Sequence, residues 1–179
     1  AMIEKSDLPR FYFCLHAAKK AADKNPPQTA WTPGISIIVA MNKALDMFFE
    51  EGRENVYKRH RINALAVQKA CEKLGLEMLV KNPSERGVSV TSIKVPDGID
   101  GKLLTKTMRI KYGVTIAGGQ GKLTGLIFRI GHLGYVGIFD VIIALAALEF
   151  ALKEQGYEFE LGAAVTEAQR VFFDNNYMG

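Results

Sequence analysis

The sequence predicts an α/β chain of the α+β type, in which a small mixed, mostly antiparallel sheet is covered on one face by helices. Three observations predict it. β-branched runs alternate with stretches of helical period, the repeated spacing of βαβ units is absent, and a turn-forming segment separates the two longest β-branched runs. At 179 residues the chain suits one ordinary domain with a sizeable core plus an extension. Residues 1–33 are predicted to be a connector belonging to something larger, and residues 34–179 the domain itself.

The elements follow in order. Leu8 to Leu15 is a short apolar stretch, and Ala17 to Lys24 can make two helical turns before Asn25-Pro26-Pro27 stops them. A helix is predicted after Thr32-Pro33-Gly34, with Thr32 as N-cap and Pro33 at the first helical position. Its stripe is Ile35, Ile38, Leu45, Phe48 and Phe49, ending at Glu51-Gly52. A second helix is predicted from Arg53 to Leu74, with His60, Ala64, Val67, Cys71 and Leu74 on one seam and Gly75 as its stop. Cys71 and His60 read there as buried seam residues. Leu76 to Val80 and Val88 to Val95 are predicted as neighbouring antiparallel strands across the turn Asn82–Gly87. Pro96 to Asp100 leads into a helix from Gly101 to Tyr112, closed by Gly113. Val114 to Ala117 and Leu126 to Ile130 are predicted strands. Ile138, Val141, Leu145, Leu148 and Leu152 mark an apolar helix, and residues 162–175 another.

Composition narrows the function classes. An apolar fraction of 48% and a charged fraction of 23% are ordinary globular values, and no apolar run approaches the roughly 18 to 20 residues of a membrane span. Ala1-Met2-Ile3-Glu4-Lys5-Ser6 has no apolar signal core, and Ala1 before Met2 reads as a cloning remnant, so export is not expected. The charge of +4 is spread along the chain, and its densest group, Lys58-Arg59-His60-Arg61, reads as a solvated helix face, with no nucleic-acid partner expected. Cys14 and Cys71 are too few and too far apart for a disulfide framework or a metal ligand set, which fits a reducing cytoplasm.

The stretch from Ala117 to Gly134 carries the chemistry. A Walker loop requires Gly, four residues, then Gly-Lys-Ser/Thr, but Ile116 stands five before Gly121 and Leu123 follows Lys122. A dinucleotide fingerprint fails for want of a strand-to-helix turn with its glycine spacing. On spacing alone the glycines make a tight connection between strands. Within Leu126 to Ile130, alternation sends Leu126, Phe128 and Ile130 one way and Ile127 and Arg129 the other. An arginine beside apolar neighbours needs a partner, and its planar fork suits a carboxylate. That carboxylate is either a structural Asp or Glu, the commoner arrangement, or a ligand. His132 reads as a ligand contact or, more simply, a loop spacer.

Gly118-Gly119-x-Gly121, Thr124-Gly125 and Phe128-Arg129-Ile130-Gly131-His132-Leu133-Gly134 together resemble the C-terminal signature of class V, fold type I aminotransferases, of which the alanine–glyoxylate and serine–pyruvate enzymes are best known. Trp31-Thr32-Pro33-Gly34 and Val95-Pro96-Asp97-Gly98 extend the similarity over most of the chain. The resemblance implies the C-terminal domain of such an enzyme, with Arg129 binding the substrate α-carboxylate. Thr32 would reach, from the partner subunit of a homodimer, the phosphate of pyridoxal phosphate, and a helix N-terminus suits an anion on independent grounds. The family's cofactor-holding lysine lies upstream of the segment resembling residues 1–33. So do the aspartate at the pyridinium nitrogen and the ring-stacking aromatic.

The function expected is therefore the C-terminal part of an aminotransferase acting on a small amino acid and a 2-oxo acid, inactive without its large domain. Two other readings stand beside it. One is an accessory subunit of a soluble hydrogenase, a label some proteins of this type carry; the other is a non-enzymatic small domain.

Overall fold

The computed structural model describes residue 5 and residues 7–177. The reading of Ala1 to Ser6 therefore falls, Lys5 apart, outside the described residues. By their contacts the residues form two units, Ala1–Glu51 and Gly52–Gly179.

In the first unit a 3-10 turn at Phe11–Phe13 precedes helix α1, Leu15–Ala22. The rings of Phe11 and Tyr12 both pack on Trp31, at centroid distances of 5.9 and 5.5 Å. Helix α2 spans Ile35–Glu51. Its first i to i+4 bond runs from the Ile38 N–H to the Gly34 carbonyl at 3.0 Å, so Gly34 stands at the cap position and Thr32 is not the N-cap that the sequence predicts. Thr32 is exposed instead. Helix α2 has no buried residue: Ile35, Ile37, Ile38, Val39, Met41, Leu45 and Phe49 are all exposed.

The second unit begins with helix α3, Arg53–Lys73, bounded by Gly52 and Gly75 at φ 86° and 78°. Its seam buries Ala64, Val67, Cys71 and Leu74 as predicted, and apolar burial pushes the Cys71 thiol up to about 12. Three strands follow in antiparallel pairing: β1, Val90–Lys94; β2, Ala117–Gly118; and β3, Ile127–Gly131, in spatial order β1-β3-β2. The pairings among the described strands are all antiparallel, so the mixed component of the predicted sheet is not seen. Leu76 to Val80 contributes a single bridge, Met78 to Ile93, and no strand. Arg86 ends that pairing, because its Nε and Nη2 donate to the Val80 and Lys81 carbonyls at 3.0 and 3.2 Å and draw the chain out of the ladder.

Helix α4, Gly101–Lys111, is capped by Asp100, whose carboxylate accepts from the Lys102 and Leu103 N–H groups at 2.8 and 3.1 Å. Helices α5, Ile138–Lys153, and α6, Ala163–Asp174, complete the unit. The buried Glu149 of α5 accepts from the Gly162 and Ala164 N–H groups at 2.7 and 2.6 Å, satisfying donors at the start of α6. Ile93, Phe128 and Ile130 enter one core with Val67, Leu145, Leu148 and Phe172. Each such side chain contributes about 1.5 to 3 kcal/mol by its burial. Leu126, predicted to share their face, lies outside β3 and is exposed. No described helix is long and apolar enough to cross a membrane.

His132 corrects the expectation of a spacer or ligand contact, because it is fully buried. Its Nε2 and the Thr91 hydroxyl of β1 share a hydrogen bond at 2.9 Å, and its backbone N–H donates to the Ser89 carbonyl at 3.0 Å. The ring thus ties the segment after β3 to β1. Burial pushes its pKa down from 6.5 to about 4, so the folded protein holds it neutral. The unfolded chain protonates this ring near pH 6.5 and the folded chain only near 4, so between those values the unfolded state binds more protons and acidification weakens the fold. Urea unfolding of wild type and His132→Gln tests this. The stability advantage of wild type should shrink by about 3 kcal/mol from pH 7 to 4. An advantage independent of pH would contradict a buried neutral imidazole.

Candidate functional site

Strand register places Arg129 at the middle of the sheet. On β3 it stands opposite Ser92 of β1 and Ala117 of β2, while its neighbours Phe128 and Ile130 stand opposite Ile93 and Thr91. Phe128, Ile130, Ile93 and Thr91 are buried on the helix-covered face. Alternation therefore puts Arg129 and Ser92, both half-buried, on the opposite face.

The guanidinium is held by backbone. Its Nε and Nη2 donate to the Gly118 carbonyl at 3.1 and 2.9 Å. The ion pairs among the described residues include none to Arg129. The structural Asp or Glu that pattern alone favours is thus not its partner.

The connection from β2 to β3 explains how that carbonyl is placed. The Gly119 N–H donates to the Ile127 carbonyl at 2.9 Å, and a 3-10 turn follows at Gly121–Leu123. A Cβ at residue 119 would lie 1.9 Å from the Leu123 carbonyl oxygen, so only glycine permits the approach. These glycines make the tight strand connection that their spacing predicts.

The segment after β3 is pinned by α3. The His60 Nδ1–H donates to the Val56 carbonyl at 2.7 Å, and its Nε2 accepts from the Gly134 N–H at 2.9 Å, which requires the neutral Nδ1–H tautomer. Arg59 Nη1 donates to the Gly134 and Val136 carbonyls at 2.5 and 3.3 Å, and Asn63 Nδ2 donates to that of Val136 at 2.9 Å. Arg59 and His60 are therefore half-buried clamps, whereas Lys58 and Arg61 are solvated as predicted. Sequence reasoning missed this role. The only signal available was the position of His60 on the seam of α3.

Thr32 stands in the first unit, exposed, three residues before α2, and Arg129 in the second. Among the described residues, no group of three or more His, Cys, Asp or Glu is arranged to hold a metal ion.

No protein-family model matches the chain. An uncharacterized aminotransferase of Methanocaldococcus jannaschii is 42% identical over 155 residues, covering 87% of this chain and 40% of the relative. A protein named soluble hydrogenase, small subunit, of Synechococcus is 37% identical over 92% of this chain and 42% of its own length. The crystal structure of ureidoglycine–glyoxylate aminotransferase from Bacillus subtilis superposes with a TM-score of 0.84 at 27% identity, covering 96% of this chain and 44% of that one. The chain thus spans about two fifths of the length of the proteins it matches. By sequence and by fold the chain belongs to the class V aminotransferases, corresponding to their C-terminal domain.

Proposed function

We propose that this chain is the C-terminal domain of a pyridoxal-phosphate-dependent aminotransferase that moves an amino group between a small amino acid and a 2-oxo acid. Residues 1–33 act as the connector to a large domain, and the complete protein works as a homodimer in the cytoplasm, in keeping with free Cys14 and Cys71. The observation that carries the reading is Arg129, oriented by a backbone carbonyl and meeting no carboxylate among the described residues. A half-buried guanidinium with N–H donors to spare is suited to a substrate carboxylate.

The residues present fit part of a cofactor site. Pyridoxal phosphate, when bound, supplies an aldehyde for the substrate amine and a ring that accepts electrons. Thr32 offers an exposed hydroxyl close in sequence to the start of α2, where free N–H groups favour a phosphate; in the dimer it serves the partner's cofactor. Arg129 orients the substrate by its acidic end. The lysine that holds the cofactor and moves the proton belongs to the large domain, so this chain alone does not transaminate.

The hydrogenase reading rests on the names of two relatives, which match over much the same part of the chain as the aminotransferases. Elemental analysis of the purified chain is expected to find neither nickel nor iron; stoichiometric metal would favour the hydrogenase.

In the complete enzyme, Arg129→Ala should raise KM for carboxylate substrates on the order of a hundredfold or more, the loss expected when one member of a buried charged pair is removed. Unchanged kinetics would remove Arg129 from the site. The exposed apolar residues of α2 lead us to expect self-association of the isolated chain, visible as a mass above 19.8 kDa by light scattering. A monomer would contradict that. Pyridoxal phosphate added to the chain should keep the absorbance of the free compound, and a shifted band that borohydride fixes to the protein would reveal a substitute lysine.

A further inference from the structure

Guanidinium groups offer five N–H donors on two usable edges, the side edge of Nε with one terminal nitrogen and the end formed by both terminal nitrogens. In Arg129 the side edge is already engaged. One acceptor, the Gly118 carbonyl oxygen, takes Nε at 3.1 Å and Nη2 at 2.9 Å. That leaves both N–H groups of Nη1 and one of Nη2, and no hydrogen bond among the described residues uses Nη1.

The acceptor is itself held. Gly118 lies opposite Phe128 on β3, and the next residue, Gly119, is locked by its bond to the Ile127 carbonyl and by the approach to Leu123 that excludes a Cβ. Residue 118 has open space where a Cβ would be, so the constraint resides in Gly119.

We propose that the Gly118 main-chain carbonyl is a positioning group that clamps the Arg129 guanidinium by its Nε–Nη2 edge, so that a ligand carboxylate docks end-on, across Nη1 and Nη2. This rests on the reading of Arg129 as the carboxylate receptor and adds how the receptor is aimed. Holding the fork before the ligand arrives removes rotamer freedom that binding would otherwise have to remove, and it admits one carboxylate geometry in preference to others. The choice of Gly119 is then set by the ligand as well as by the turn.

The test is nuclear magnetic resonance of the arginine Nε–H groups in the 179-residue chain, with the Arg129 signal identified by its loss in Arg129→Lys. In the free chain that proton should exchange with solvent on the order of tenfold more slowly than those of arginines exposed to water, as one hydrogen bond provides. Gly119→Ala should abolish the protection, and Gly118→Ala, with room for its methyl group, should keep it. Unprotected exchange in the unmodified chain overturns the clamp without reference to any variant. Acetate, titrated to high concentration, is the probe of docking. Movement of the Arg129 Nη signals with the position of the Nε–H signal unchanged supports end-on docking. A large shift of the Nε–H signal as acetate binds means that the carboxylate has replaced the Gly118 carbonyl on the side edge, which overturns this inference and leaves Arg129 a carboxylate receptor. No response of any Arg129 signal to acetate overturns the receptor reading itself, and the docking mode with it.

Discussion

Alternation along β3 is the constraint on which the site depends. Phe128 and Ile130 must enter the core beside Ile93, Leu145 and Leu148, and a strand with two consecutive inward residues of that kind sends the one between them outward. Arg129 is that residue. A slip of one position would bury the guanidinium and expose Phe128, a loss of several kcal/mol from both changes. The core thus specifies where the charge emerges, and the short β2 strand supplies the carbonyl that holds it.

Flanking segments are fixed with equal care and by different means. Before β3, glycine conformations and a 3-10 turn bring the chain close enough to itself that no side chain fits at residue 119. After β3, buried His132 reaches β1, and Arg59, His60 and Asn63 reach across from α3 to three main-chain groups of Gly134 and Val136. Both ends of the strand are therefore anchored by polar contacts to elements that the core already orients. A ligand meeting Arg129 would meet a group whose surroundings are settled in advance, which limits the entropy lost on binding.

The helices were legible because their information is local. The seam of α3 and the apolar stripe of α5 each repeat within a few residues, and Gly75 and Gly113 mark the stops. What escaped prediction depends on distant partners. Leu76 to Val80 has a strand's composition, but Arg86 takes the carbonyls of Val80 and the following Lys81; Thr32 has a cap's composition, but the first helical bond goes to Gly34. Arg59 and His60 look like members of a solvated cluster until the chain returns some 75 residues later. The Arg129 partner was hidden for a deeper reason. A main-chain acceptor has no residue identity, so a search of the sequence for acidic partners cannot find Gly118.

The central claim is that Arg129 presents its outer end to a carboxylate while its side edge is occupied by Gly118. The most direct measurement is an experimental structure of the complete polypeptide with a 2-oxo acid bound. The expected result has the two carboxylate oxygens on Nη1 and Nη2 of Arg129 and the Gly118 carbonyl on Nε. An ion pair from Arg129 to an Asp or Glu of the protein, or a substrate carboxylate bound elsewhere, would contradict it.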